Sequence, residues 1–182
     1  SEPLAYETMV VIITVVDAAI AETSVAFAKM LKSSLDYRKI ESHSYFASQP
    51  QTILDLSTGE AANSELSKEM HQEESTYHID IRSIDTEELG SSIASQDFLI
   101  ADTKEATSRE LNESVVNNLS RFAEAKEIPI THLSMYPSIY ARLVLRVPTI
   151  TIILNEDSVD LYRSAADELA ETVEQTAPRR TD

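Results

Sequence analysis

Cysteine is absent from this chain, and glycine occurs only as Gly59 and Gly90. Without cysteine there is no disulfide framework, no thiol nucleophile and no thiolate metal site, a usage that fits a cytoplasmic protein. Loops that cradle phosphate need several residues without a Cβ so that backbone N–H groups can approach the ligand. Two glycines cannot supply them, which disfavours Walker-type and dinucleotide-binding loops. Basic residues are also scarce: 15 Lys and Arg face 31 Asp and Glu, for a formal net charge of -16. That charge repels nucleic acid phosphates and anionic lipid heads, so neither is an expected partner. The longest apolar runs, Met9 to Val16 and Ile150 to Leu154, are far too short to cross a bilayer, and membrane insertion is not expected. The start, Ser1-Glu2-Pro3, carries no basic region of the kind that opens a secretory signal.

What is present is a core-forming composition, 42% hydrophobic over 182 residues, enough for one domain or one domain with an extension. Met9 to Val16 is a β-branched run that reads as a buried strand. A helical pattern follows from Thr23 to Ser34 with Val25, Phe27, Ala28 and Leu31, and Lys39 to Phe46 alternates as a second strand. Ser48-Gln49-Pro50 breaks the pattern, because proline biases its predecessor away from helix. A boundary is expected there, dividing an extension over 1–50 from a domain over 51–178.

Beyond it the rhythm is regular. Strands are expected at Thr52 to Leu56, Tyr77 to Ile84, Asp97 to Thr103, Ile128 to Leu133 and Thr149 to Leu154. Between them lie helical patterns: Ala61 to Glu74, Asp85 to about Ser95, Thr107 to about Lys126, and Ser138 to Arg146, with a last helix capped by Asp157 and running to about Glu174. Thr107 with Glu110 makes a capping box, and Leu111, Val115, Leu119 and Phe122 form one apolar stripe behind it. Alternation of strands and helices predicts an α/β fold, a doubly wound sheet of five parallel strands with a strand-helix-strand extension at the N-terminus. In such sheets the site lies at the carboxyl ends of the strands. Those ends offer Ser57 and Thr58, Asp102, Ser134, and Asn155 with Glu156.

The stretch from Gln51 to about Gln175 resembles the receiver domain of two-component signalling. The runs Asn63-Ser64-Glu65-Leu66-Ser67-Lys68-Glu69-Met70 and Ile128-Pro129-Ile130-Thr131-His132-Leu133-Ser134 carry the likeness, together with the spacing of the strand ends. The resemblance implies a flavodoxin-like topology, with Asp102 at the phospho-acceptor position, Ser134 at the hydroxyl switch and Asn155 or Glu156 at the family's lysine. Ser57 and Thr58 stand where receivers keep the acidic pair that binds Mg²⁺, and one carboxylate is too little to hold that metal. The expectation is therefore a non-enzymatic pseudo-receiver that binds neither metal nor cofactor. Asp55 and Glu60 stand close enough to replace the missing acids under a small shift of alignment, which leaves an atypical but phosphorylatable receiver as an alternative.

The same resemblance implies a histidine kinase, a phosphotransfer domain or a response regulator as partner, or a homodimer. Tyr136, Tyr140 and Tyr162 are candidate interface anchors, since interfaces favour tyrosine. Val10 to Glu22 is similar to the nucleotide-binding strand and turn of sensor-kinase ATPase domains, with Ala19 and Ala21 in place of glycine, and the helix and the strand into Tyr45-Phe46 that follow resemble the end of such a domain. Asp17 to Ser24 also aligns with the deviant phosphate loop of partition and division-site ATPases, with Glu22 for the essential lysine. A third expectation is that this segment only extends the sheet. The four histidines, His43, His71, His78 and His132, show no metal-ligand spacing, and His78 and His132 fall on strands as solvent-facing or hydrogen-bonded side chains.

Overall fold

The computed structural model describes residues 7–15, 22–46, 75–83, 98–102, 106–127, 130–133, 149–154, 159–176 and 180–181. In chain order these form β1 (Glu7–Thr8), β2 (Val10–Val15), α1 (Glu22–Tyr37), β3 (Glu41–Phe46), β4 (Tyr77–Ser83), β5 (Phe98–Asp102), α2 (Ala106–Ala125), β6 (Ile130–Leu133), β7 (Thr149–Leu154), α3 (Val159–Thr176) and β8 (Arg180–Thr181). The strand expected at 52–56 and the helices expected at 61–74, 85–95 and 138–146 lie outside the described residues.

Six strands make one sheet in the order β3-β2-β4-β7-β5-β6. The first four are mutually parallel, so the α/β class with a parallel sheet is as the sequence predicts. A wholly parallel sheet in receiver order is not what the described strands form. β5 runs antiparallel to β7, with Phe98 opposite Leu154 and Asp102 opposite Ile150, and β6 runs parallel to β5. Periodicity marks a buried strand but not its direction, because alternate side chains fall on opposite faces in either sense. The N-terminal β2 and β3 belong to this same sheet, β2 lying between β3 and β4. A separate two-stranded ribbon pairs β1 with β8, Glu7 opposite Thr181 and Thr8 opposite Arg180.

All three described helices contribute to one apolar core on one face of the sheet. Val11, Ile13 and Val15 of β2, Tyr77, Ile79 and Ile81 of β4, and Ile150, Ile152 and Leu154 of β7 join Phe27, Ala28, Leu31 and Leu35 of α1, Val115 and Leu119 of α2, and Ala166, Leu169, Ala170 and Val173 of α3. Each helix supplies residues spaced three or four apart, which is the stripe a 3.6-residue turn lays against a sheet. The small alanines of α3 suit close approach of α1, and Arg38 at the end of α1 reaches Asp167 and Glu174 of α3, each at 3.4 Å.

The scarcity of glycine shows at the helix ends. α1 stops in a Schellman arrangement, with Ile40 N–H donating to Leu35 O and Lys39 N–H to Asp36 O, both at 2.9 Å. Its left-handed position falls on Lys39, at φ 59°, where glycine is the usual occupant. α2 ends similarly, with Glu127 at φ 57° and Glu127 N–H donating to Glu124 O at 3.2 Å.

Candidate functional site

The opposite face of the sheet is built from the alternate residues of the same strands, and there the sequence places polar groups. Thr14 on β2 is registered with Asp80 on β4, and Asp80 with Thr151 on β7, so the three side chains form one row across adjacent strands. His78, two residues before Asp80, shares that face. Thr14, His78 and Asp80 have no exposed surface, and Thr151 is 3% exposed.

These four side chains satisfy one another. Thr14 Oγ1 donates to Asp80 Oδ1 at 3.0 Å, and Thr151 Oγ1 donates to Asp80 Oδ2 at 3.3 Å. Thr14 Oγ1 also lies 2.7 Å from His78 Nε2. A hydroxyl has one proton, and here it goes to the carboxylate; the consistent assignment is that His78 Nε2–H donates to the Thr14 oxygen. Thr14 thus joins an imidazole to a carboxylate through a single amphoteric oxygen. Burial without such partners would be costly, since an unpaired polar group away from water loses its hydration for nothing. Thr76, just ahead of β4, adds a second polar tie to β2: it accepts from Val10 N–H at 3.1 Å, and its hydroxyl donates to Val10 O at 3.2 Å.

The residues singled out from sequence fall elsewhere. Asp102 ends β5 and is registered with Ile150 at the beginning of β7, while Phe98 pairs with Leu154 at its end. Its backbone therefore lies at the edge of the sheet from which β4 and β7 start, about 13 Å along the strand from Leu154 at the usual rise per residue. Ser57, Thr58, Ser134, Asn155, Glu156, Tyr136 and Tyr140 lie outside the described residues, and Tyr162 is placed only as a position on α3. Sequence reasoning counted His78 as an isolated strand histidine and gave Thr14, Asp80 and Thr151 no role. The available signal was the interruption of apolar alternation, His-Ile-Asp in β4 and Thr-Ile-Thr in β7, which puts every polar member on one face.

No family model matches the chain, and no curated protein does. Solved structures do. A metallo-carboxypeptidase from Burkholderia cenocepacia is similar at 12% identity and TM-score 0.57, over 97% of this chain and 58% of that one. The catalytic domain of the CD27L endolysin targeting Clostridia difficile is similar at 9% identity and TM-score 0.54, over 92% and 96% of the two chains. Helicobacter pylori MTAN is similar at 10% identity and TM-score 0.50, over 92% and 98%. At these identities the likeness is one of fold.

These neighbours correct the expectation of a chain without catalysis: the fold it shares with them is one that carries enzymes, and none of the three is a receiver domain. The name of the first raises the question of a metal, and the network does not fit one. Among the described residues no three His, Asp or Glu side chains converge, and both Asp80 oxygens and His78 Nε2 are engaged by threonine hydroxyls. Among the described residues, too, no helix is long and apolar enough to cross a membrane. The chain has an α/β fold similar to that of several enzymes, with a hydroxyl-linked His–Asp pair buried on the face of its sheet opposite the three described helices.

Proposed function

We propose that this chain is a hydrolytic enzyme in which His78 and Asp80 form the acid-base pair and Thr14 links them. The observation that carries the proposal is the Thr14 hydroxyl, held 2.7 Å from His78 Nε2 and 3.0 Å from Asp80 Oδ1. Imidazole is the side chain best suited to exchange protons near neutral pH. Asp80 supplies the negative charge that stabilises an imidazolium as Nδ1 takes up a proton, and Thr14 transmits it by accepting from His78 Nε2–H while donating to Asp80. Thr151 holds the second carboxylate oxygen and so fixes the plane of the acid. The kinship of fold with an endolysin catalytic domain and a carboxypeptidase supports hydrolysis as the reaction class.

Hydrolysis of p-nitrophenyl acetate, p-nitrophenyl benzoate and an aminoacyl p-nitroanilide tests the proposal. Turnover above the buffer rate is expected for at least one of them, falling by at least a hundredfold in His78→Gln and Asp80→Asn, while Thr14→Ser retains most of it. No turnover by the unaltered chain, or equal turnover in His78→Gln, overturns the assignment. The same network also ties β2, β4 and β7 together as a structural element. Melting temperatures of His78→Gln and Asp80→Asn separate the two roles: turnover lost with the melting temperature unchanged is the catalytic outcome, and turnover lost only in step with unfolding overturns it.

A further inference from the structure

Two polar ties join β2 to β4, at opposite ends of their pairing. Thr14 meets Asp80 near the carboxyl ends. At the other end Thr76 makes three hydrogen bonds to the backbone of one residue, Val10. Its N–H donates to Val10 O at 2.8 Å, its hydroxyl donates to the same oxygen at 3.2 Å, and Thr76 Oγ1 accepts from Val10 N–H at 3.1 Å. Both residues are buried. They stand 66 positions apart in the chain, and the strands are parallel, so no short turn fixes how the two align.

Face alternation does only part of that alignment. Val11, Ile13 and Val15 of β2 and Tyr77, Ile79 and Ile81 of β4 all belong to the helix-covered core, and a slip of one residue would turn one set out of it. A slip of two residues keeps both apolar faces in place. It would, however, set Thr14 opposite His78 or Arg82 instead of Asp80, and the linked network would be lost. Ahead of Thr14 the residues of β2 on the network face, Val10 and Ile12, have apolar side chains that specify no register. The Thr76 hydroxyl supplies it through the Val10 backbone.

Resting on the hydrolase proposal for its catalytic part, we propose that Thr76 is the positioning residue of the network, holding β2 on β4 in the register that sets the Thr14 hydroxyl between Asp80 and His78 Nε2. It acts through the β2 backbone, about 13 Å along the strand from Thr14 at the usual rise per residue. A hydroxyl that serves two partners, at 2.7 Å and 3.0 Å, tolerates little displacement, because hydrogen bonds weaken steeply as their geometry departs from ideal.

Imidazole NMR and turnover, read together, test this. The buried Nε2–H of His78 should give a slowly exchanging N–H resonance in the unaltered chain, assigned by its loss in His78→Gln. Thr76→Val keeps the shape and removes the hydroxyl: the resonance should shift or broaden away, and kcat for the p-nitrophenyl ester that the chain turns over should fall about tenfold with KM little changed. Thr76→Ser should restore both. Leu31→Ala is the control for stability alone, since it loosens the core on the other face of the sheet, and it should leave the resonance in place. An unchanged resonance in folded Thr76→Val, or the same loss in Leu31→Ala, overturns the positioning role. Loss of the resonance in Thr76→Ser overturns it too, which keeps the test decisive should Thr76→Val not fold. A resonance that responds as expected in a chain without turnover supports the register role and removes the hydrolase assignment instead.

Discussion

Thr14 and Asp80 face each other across β2 and β4, and the threonine hydroxyl donates to the carboxylate at 3.0 Å with neither residue exposed. Two neighbours depend on that one oxygen, because His78 Nε2 lies 2.7 Å from it. Thr14→Val keeps the shape but leaves an acid and an imidazole each short of a partner. Since a buried group left unsatisfied loses its full hydration energy, the variant should unfold about 2 kcal/mol more easily. Urea denaturation of Thr14→Val, Asp80→Asn and the double variant would measure the coupling, and additive losses would show that the pair does not interact.

The core prediction concerns Leu31, which is fully buried where α1 meets the sheet. Leu31→Ala removes three carbons from a packed site and should cost about 2–5 kcal/mol, the range for cavities that collapse only in part. Tyr37, six residues further along α1, is 86% exposed, and Tyr37→Ala should change stability by less than about 0.5 kcal/mol. Similar losses at the two positions, read by thermal unfolding, would contradict the orientation of α1.

Lys39 adopts a left-handed backbone at φ 59° to complete the Schellman end of α1. A side chain with a Cβ is strained there by roughly 1–2 kcal/mol, and glycine removes that strain at some entropic expense in the unfolded chain. Lys39→Gly should therefore stabilise the protein by about 0.5–1 kcal/mol. The reverse test is Lys39→Val, whose β-branch should destabilise it. A destabilised glycine variant in a denaturant titration would contradict the cap.

Glu168 on α3 gives the pH dependence. Partial burial, reinforced by the neighbouring carboxylates of Glu171 and Asp167, pushes its acid above the usual 4.5, against weaker opposition from Arg38 and Arg121. A raised folded-state value means that the folded chain holds this proton more tightly than the unfolded one. The contribution of Glu168 to stability is thus complete below the ordinary carboxylate value and lost as pH rises through the folded value. Glu168→Gln removes this loss, so its stability relative to the unaltered chain should climb as pH rises from about 4 and level off above the folded value. A relative stability that stays flat between pH 4 and 7 would rule this out.

Most of the described elements were legible in the sequence, for reasons visible in particular residues. The β-branched run of β2 and the Thr149–Leu154 run of β7 are strands as expected. The stripe of α2 buries Val115 and Leu119, with Phe122 packed against the core. What local pattern does not contain is the direction in which a strand joins its neighbours. Phe98–Asp102 reads identically whether it lies parallel or antiparallel to β7, and the expectation that Asp102 shares an end of the sheet with the close of β7 depended on that choice.

The site was less legible still. His78, Asp80, Thr14 and Thr151 are separated by up to 137 positions and share no motif spacing. Each looks unremarkable in its own strand. Their significance arises when parallel pairing sets Thr14 beside Asp80 and Asp80 beside Thr151. By itself, the sequence determined the α/β class, the apolar faces and the absence of thiol chemistry, because composition and periodicity act locally. Only the tertiary structure decided strand direction and the meeting of an imidazole, a carboxylate and two hydroxyls. Register across a sheet is fixed by pairings between distant segments, and no single segment encodes its partner.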